Sequence, residues 1–512
     1  MDELIALVKA VSKNKVKQIS VIGNFNGKSS IAVEELYNGI LENRFQTEEE
    51  ILQYFYSNNT NGRKYLSKLK SNLRSRLINT IFFIDINKST FSDNQRAYYT
   101  CYKNSAAVKI LIGRYARKPA IPLAEKTLKD AILYEFTDIA LAMAKELRMH
   151  YGNIIGDHKK FVKYNKLVEK YSAIFLAELK AEEYYNSLAV HTANSRASKL
   201  EILEIAKSYF FELENIRKEL ESFRLSFISF FVFLYRYQIE NDYLNTLVVC
   251  EEALQYFRTK EHLTSVFIKC NFLNRKLVCN LRLGNLTDAK SIVTECLEII
   301  PEGTMNWFNT LNYAMIVNFH LNDFQEAYNV FTKATSDPNF SDQYQNTSEN
   351  WLIFEGFIHY FFRTKRITIN KDKLKRFRIT KFLNEVPTYS KDKRGANVSI
   401  LILHILFLLL DHKYGKIIDR MESLRTYTHR YLRKDDTFRS NCFIKMLLQL
   451  PLASFHKEGV ERRAKKYKEK LISVPIQEAN QSAEIEIVPY EMLWEFVLDS
   501  LDNKFHHTNK KL

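Results

Sequence analysis

Thirteen glycines and eight prolines in 512 residues make up about 4% of this chain, where roughly 12% is average usage. Tight turns draw on those two residues for positive φ and for a pre-set φ. Their scarcity excludes a turn-rich all-β protein, a collagen-like fibre and a long disordered linker protein. It also weighs against folds that need many Gly-rich phosphate loops. Long uninterrupted helices remain, and the apolar spacing agrees. Leu128, Ala131 and Ile132, then Ile139, Ala142, Met143 and Leu147, recur at i, i+3 and i+4 with charges between, the stripe of an amphipathic helix. Similar stripes predict helices over 160–187, 199–221, 224–239, 244–257, 264–282, 287–299 and 307–320. A hydrophobic content of 46%, with 36 Phe and 29 Tyr, suffices for a large core.

The joints between these helices are short, polar and mutually similar. Asn241-Asp242-Tyr243, Gly284-Asn285-Leu286 and Asn322-Asp323-Phe324 each open a helix after a long one, 43 and then 38 residues apart. Pro301 and Pro338 follow the second helices, and Ala289 and Ala327 are small residues suited to close helix pairing. Asp411 to Ile417 has the same turn-then-helix character. Hairpins repeating every 34–45 residues or so are the signature of an α-solenoid. Here the chain resembles the tetratricopeptide-repeat class, with lengthened repeats that keep Gly284, Ala289 and Pro301 but only part of the family pattern. The resemblance implies an all-α, right-handed α-solenoid of stacked helical hairpins whose curved surface binds partner proteins. It assigns no functional residue. The expected organisation is a helical N-terminal cap over 1–95, a solenoid over 96–365, a basic linker over 366–397 and a basic helical unit over 398–512.

Catalytic chemistry finds little support. Gly23-Asn24-Phe25-Asn26-Gly27-Lys28-Ser29 approaches a phosphate-binding loop, but only three residues separate its glycines where the motif has four. The apolar run Ile81 to Asp85, which could supply a magnesium-binding acid, is entered at helical spacing from Leu66, Leu69, Leu73 and Leu77. The segment reads as a polar loop before a helix. The six cysteines form no CxxC pair, and among twelve histidines only His506-His507 are close in sequence; a structural zinc site wants two short-spaced ligand pairs. No hydrolase or kinase signature is present. The expectation is a protein with no catalytic residue, no metal and no cofactor.

Charge is the most uneven property. Residues 360–470 hold 28 Lys and Arg against 11 Asp and Glu, which accounts for the whole net charge of +16. The basic residues fall into three groups: Arg363, Lys365, Arg366, Lys373, Lys375, Arg376, Arg378 and Lys381; Arg425, Arg430, Arg433, Lys434 and Arg439, interleaved with Tyr427, Tyr431 and Phe438; and Arg462, Arg463, Lys465 and Lys466. Cations with interspersed rings suit a polyanion or an acidic partner protein, since phosphates release counterions and rings stack on bases. The usage is also rich in Lys, Asn, Ile, Phe and Tyr, a bias that an AT-rich genome produces without selection for function.

Asp2 and Glu3 stand where a secretory signal carries positive charge, and the longest apolar stretch, Val398 to Leu410, is about 13 residues where a membrane span needs about 20. Scattered cysteines in a long chain fit a reducing compartment. The sequence therefore leads to a cytoplasmic, non-enzymatic adaptor or scaffold that binds a partner protein along a curved helical surface and has no membrane partner. The alternative is a nucleic-acid or ribonucleoprotein factor using the basic surface of 360–470.

Overall fold

The computed structural model describes Met1, Leu4, Ile5, Val8 and residues 28–57, 60–81, 86–87, 91–194, 199–342, 345–368, 396–432, 437–479 and 486–506. Among them it forms twenty α-helices and no strand. The chain divides into two compact units, Met1–Leu179 and Lys180–Leu512.

In the first unit, α1 (Lys28–Leu41), α2 (Glu48–Tyr56) and α3 (Gly62–Ile81) enclose a small core. Leu4 and Val8 join Val33, Leu36, Ile51, Leu66, Leu69, Leu73 and Leu77 in it. The helical spacing of those leucines thus runs into Ile81, as the sequence predicts. Residues 82–85 and Gly23 to Gly27, which bear on the phosphate-loop question, lie outside the described residues. Thr47 accepts from the Glu50 amide while Glu50 accepts from the Thr47 amide, a reciprocal cap that fixes the start of α2. Ser92 and Gln95 do the same for α4 (Asp93–Gly113). Then follow α5 (Arg117–Leu133), α6 (Thr137–Met149), a single π turn over His150–Ile155, and α7 (His158–Asn194), within which the unit boundary falls. Thr137 Oγ1 donates to Glu178 Oε1 at 2.7 Å, both residues being buried. Tyr151 and Tyr164 stack and donate together to Glu125 Oε1, at 2.9 and 3.1 Å.

The second unit continues through α8 (Lys199–Glu219), α9 (Phe223–Glu240), α10 (Tyr243–Thr259), α11 (Val266–Leu283), α12 (Leu286–Ile299), α13 (Met305–His320), α14 (Phe324–Thr335) and α15 (Gln345–Arg363). After it come α16 (Ala396–Leu410), α17 (Tyr414–Tyr431), α18 (Phe438–Leu447), α19 (Lys457–Ile472) and α20 (Tyr490–Asp499). Helices pack mainly on their neighbours in sequence, and α11 also meets α13, as α13 meets α15. The linker expected over 366–397 lies outside the described residues except at its two ends.

One joint recurs along the chain. Tyr115, Glu135, Asn241, Gly284, Asn322, Lys365 and His412 each end a helix at φ between 50° and 77°. The next amide reaches back to a carbonyl five residues earlier in every case, as Asp242 to Tyr237, Asn285 to Asn280, Asp323 to Asn318 and Lys413 to Leu408, at 2.8–2.9 Å. This satisfies carbonyls that a helix end leaves without a partner and reverses the chain in two residues. The similar joints read from the sequence are this motif.

Rings fill the space between the paired helices of the second unit. Phe230, Phe257 and Phe272 form a mutual cluster with centroids 5.3–6.2 Å apart, and Phe324 stacks on Phe361 at 3.9 Å. Such contacts add to the area term for bulky rings. Ala289 and Ala327 are wholly buried, as close pairing requires.

Candidate functional site

The first helices of successive hairpins, α9, α11, α13 and α15, each turn an apolar face into the core; Phe272, Leu273 and Leu277 of α11 are buried there. Other faces of these helices carry amides. Gln238 from α9, Asn271 and Asn274 from α11, Asn309 and Asn312 from α13 and Asn350 from α15 line one cavity of about 490 Å³, a volume ordinary for a binding site. Asn350 Nδ2 donates to Asn312 Oδ1 at 3.5 Å across an interval of 38 residues. Asn274 precedes Asn312 by that same interval, and Asn271 so precedes Asn309. The amides therefore form a ladder in register with the hairpins.

The rungs are only partly occupied. Asn271 Nδ2 donates to the Phe267 carbonyl of its own helix at 2.9 Å, and Asn274 Oδ1 receives the Cys296 thiol at 3.9 Å. The Asn271 Oδ1 and the Asn274 Nδ2 have no hydrogen-bond partner among the described residues. Gln238 and Asn309 have no side-chain hydrogen bond among the described residues.

The cavity is cationic. Arg275 lines it together with Tyr243 and Tyr313, and no Asp or Glu does among the described residues. The Arg275 guanidinium lies 5.5 Å from the Phe231 ring centroid, and its Nε is buried with no hydrogen-bond partner among the described residues. Cys279 also reaches the lining, but burial pushes its thiol up to about 12, with Arg275 opposing. It is held as a thiol and is a poor nucleophile. The lining offers amide donors and acceptors and one positive charge.

The basic residues picked out by sequence differ in their surroundings. Arg363 Nη2 donates to Asp411 Oδ1 at 2.7 Å. Burial pushes the Asp411 carboxyl up, but Lys413 and Arg363 outweigh it and hold it below its usual range. Arg366 pairs with Asp499 at 2.9 Å and lies 3.8 Å over the Phe496 ring, while Lys365 is the exposed joint residue between them. Arg425 and Arg430 are exposed on α17, and Arg462, Arg463, Lys465 and Lys466 on α19, whose Val460 and Ala464 face the core. Lys373, Lys375, Arg376, Arg378, Lys381, Arg433 and Lys434 lie outside the described residues.

Arg439 requires a correction. It is 1% exposed and enclosed by Glu486, Glu491 and two carbonyls, so its charge is consumed inside the protein and is not offered to a polyanion. His404, on α16, is half-buried. Burial lowers its ring to about 4, but no carbonyl receives it among the described residues. The half-buried His320 does meet a carbonyl, its Nε2 lying 2.9 Å from the Glu486 backbone oxygen.

All six cysteines are buried and unpaired. Among the described residues no group of His, Cys, Asp and Glu is placed to hold a metal ion, and no helix is long and apolar enough to cross a membrane.

Sequence reasoning missed the amide ladder because asparagine enrichment was ascribed to composition. The signal that could have found it was the recurrence of Asn at the hairpin period.

No family model, no curated protein and no solved structure matches this chain.

Proposed function

We propose that this protein is a cytoplasmic, non-enzymatic adaptor whose hairpins stack as a right-handed, tetratricopeptide-like solenoid and hold a partner protein. The observation that carries this reading is the cavity along α9, α11, α13 and α15, with amides in register with the hairpins and a single arginine. A surface built by repetition suits a partner that is itself extended, and a few anchors such as Tyr313 and Arg275 would supply most of the energy.

A second reading, contact with nucleic acid or ribonucleoprotein, draws on the exposed Arg425, Arg430, Arg462, Arg463, Lys465 and Lys466. Affinity capture of the tagged full chain from its native lysate, with and without nuclease, separates the two. A protein partner that survives nuclease supports the adaptor. Loss of all co-eluting material on nuclease treatment supports the second reading and overturns the first.

A further inference from the structure

We infer that a cavity beside the start of α19 takes one unpaired nucleotide of a single-stranded nucleic acid, its base stacked on Phe505 and its flanking phosphates on Arg462 and Arg463. This rests on the second reading and gives it a site. It uses no residue of the amide cavity.

Two segments distant in sequence build the site. A turn over Pro451–Ala453 leads to Ser454 and Phe455, both at positive φ, 49° and 58°. The Phe455 amide reaches back to the Leu450 carbonyl at 2.9 Å, and the chain reverses into α19. The segment after α20 returns to this reversal. The Lys457 amide donates to the Asp502 carbonyl and the His506 amide to the Ser454 carbonyl, both at 2.9 Å. These bonds hold Phe505 against His456, ring on ring, with centroids 4.4 Å apart. His456 is itself fixed, its Nδ1 accepting from the Gly459 amide at 3.2 Å. The first amides of α19 are therefore engaged, and the attraction for an anion comes from side chains.

The cavity, of about 520 Å³, joins an aromatic ring to two cations. Phe505 lines it and is 63% exposed. Arg462 and Arg463 line it too, and neither has an ion pair or hydrogen bond among the described residues. Glu458 is the one described carboxylate in the lining. It precedes Arg462 by four residues, the spacing of a helical ion pair, yet the two are not paired. The cations outnumber the acid and remain available.

A ring beside uncompensated guanidiniums suits a single strand, whose bases stack on aromatic faces while its phosphates follow a basic groove. Lys466 and Lys470 follow Arg462 at intervals of four, so they share its side of α19, and both are exposed. They extend the row for further phosphates. An acidic peptide is the poorer occupant, because it would meet the arginines and leave Phe505 unused.

The test titrates the full-length chain with fluorescein-labelled decauridylate by fluorescence anisotropy over a range of salt. Phe505→Ala should weaken binding about tenfold, as loss of a stacked base would, and leave the salt slope unchanged. Phe505→Tyr keeps the ring and should bind like the parent. Arg462→Gln with Arg463→Gln should reduce the slope of log K against log salt by about 1.4, at about 0.7 for each single-strand phosphate. An abasic decamer should bind the parent and Phe505→Ala alike. All three side chains are exposed, so unchanged thermal melting is the accompanying control.

Parent-like binding by Phe505→Ala, an unchanged slope in the arginine variant, or displacement of decauridylate by decaglutamate at equal concentration would each overturn the inference. The last result would make the cavity a dock for an acidic protein. If nucleic acid co-elutes in the capture experiment while Phe505→Ala is silent, the site falls and the second reading stands. If decauridylate does not bind and nuclease removes nothing, both fall.

Discussion

Arg439 and Glu486 are enclosed together, at 1% and 0% exposure, with Nε and Nη2 of the arginine donating to the two carboxylate oxygens at 2.9 and 2.8 Å. The same Nη2 reaches Glu491 at 2.8 Å, while Nη1 donates to the carbonyls of Leu471 and Val474 at 3.0 and 2.7 Å. Glu486 Oε1 also accepts from the Tyr490 amide at 2.9 Å. One guanidinium thus ties α18 to the end of α19, to the segment beyond it and to the start of α20.

Removing one partner of such a pair leaves a buried charge uncompensated, which costs about 3–5 kcal/mol. Arg439→Met is expected to lose that much in urea-induced unfolding. Arg439→Met with Glu486→Met is expected to recover most of it, because the apolar pair carries no desolvation penalty. A double variant no more stable than the single one would show that the network contributes more than charge compensation.

The joints predict a pair of opposite effects. Gly284 sits at φ 77°, and a Cβ there would lie 2.6 Å from Gln477 Nε2. Gly284→Ala should therefore destabilise by about 1–2 kcal/mol. Asn322 occupies the equivalent position at φ 60°, where glycine is relieved of strain. Asn322→Gly should be neutral or stabilise by a few tenths of a kcal/mol. Urea midpoints of the two variants check both signs.

Burial lowers the His359 ring to about 4, and burial with Arg420 and Lys416 nearby lowers His404 to about 4. Glu355 is the carboxylate facing His359, at 3.9 Å. A depressed folded value means that the unfolded chain takes up the proton first. The contribution of each neutral imidazole is therefore complete above about pH 6.5 and is lost as pH falls from 6.5 to 4. The slope approaches about 1.4 kcal/mol per pH unit for each histidine, less for the partly exposed His404. His359→Phe should flatten the melting temperature between pH 6 and 4; an unaltered slope would place the acid sensitivity elsewhere.

Charge reversal at Arg462, Arg463, Lys465 and Lys466 should leave the melting temperature nearly unchanged, since all four side chains are exposed on α19. If that face binds polyanions, reversal should weaken heparin or oligouridylate binding and reduce the dependence of log K on log salt by up to about four. Arg439→Glu should instead abolish folding, which separates the surface cations from the internal one.

The sequence determined what depends on local periodicity. Leu66, Leu69, Leu73 and Leu77 sit one helical turn apart and all reach a core. The joints at Asn241, Gly284 and Asn322 are legible because positive φ selects the residues that tolerate it. The burial of Ala289 and Ala327 follows from the same local pattern.

Only tertiary structure decided the fate of individual charges and amides. Arg439 stands among basic neighbours in sequence, yet Glu486, 47 residues away, draws it inside. Asn274, Asn312 and Asn350 look like compositional bias until the hairpins bring them to one cavity. Periodicity is a property of one helix and can be read along it. Pairing of charges and convergence of polar groups arise between helices, where distance along the chain carries no information about distance in space.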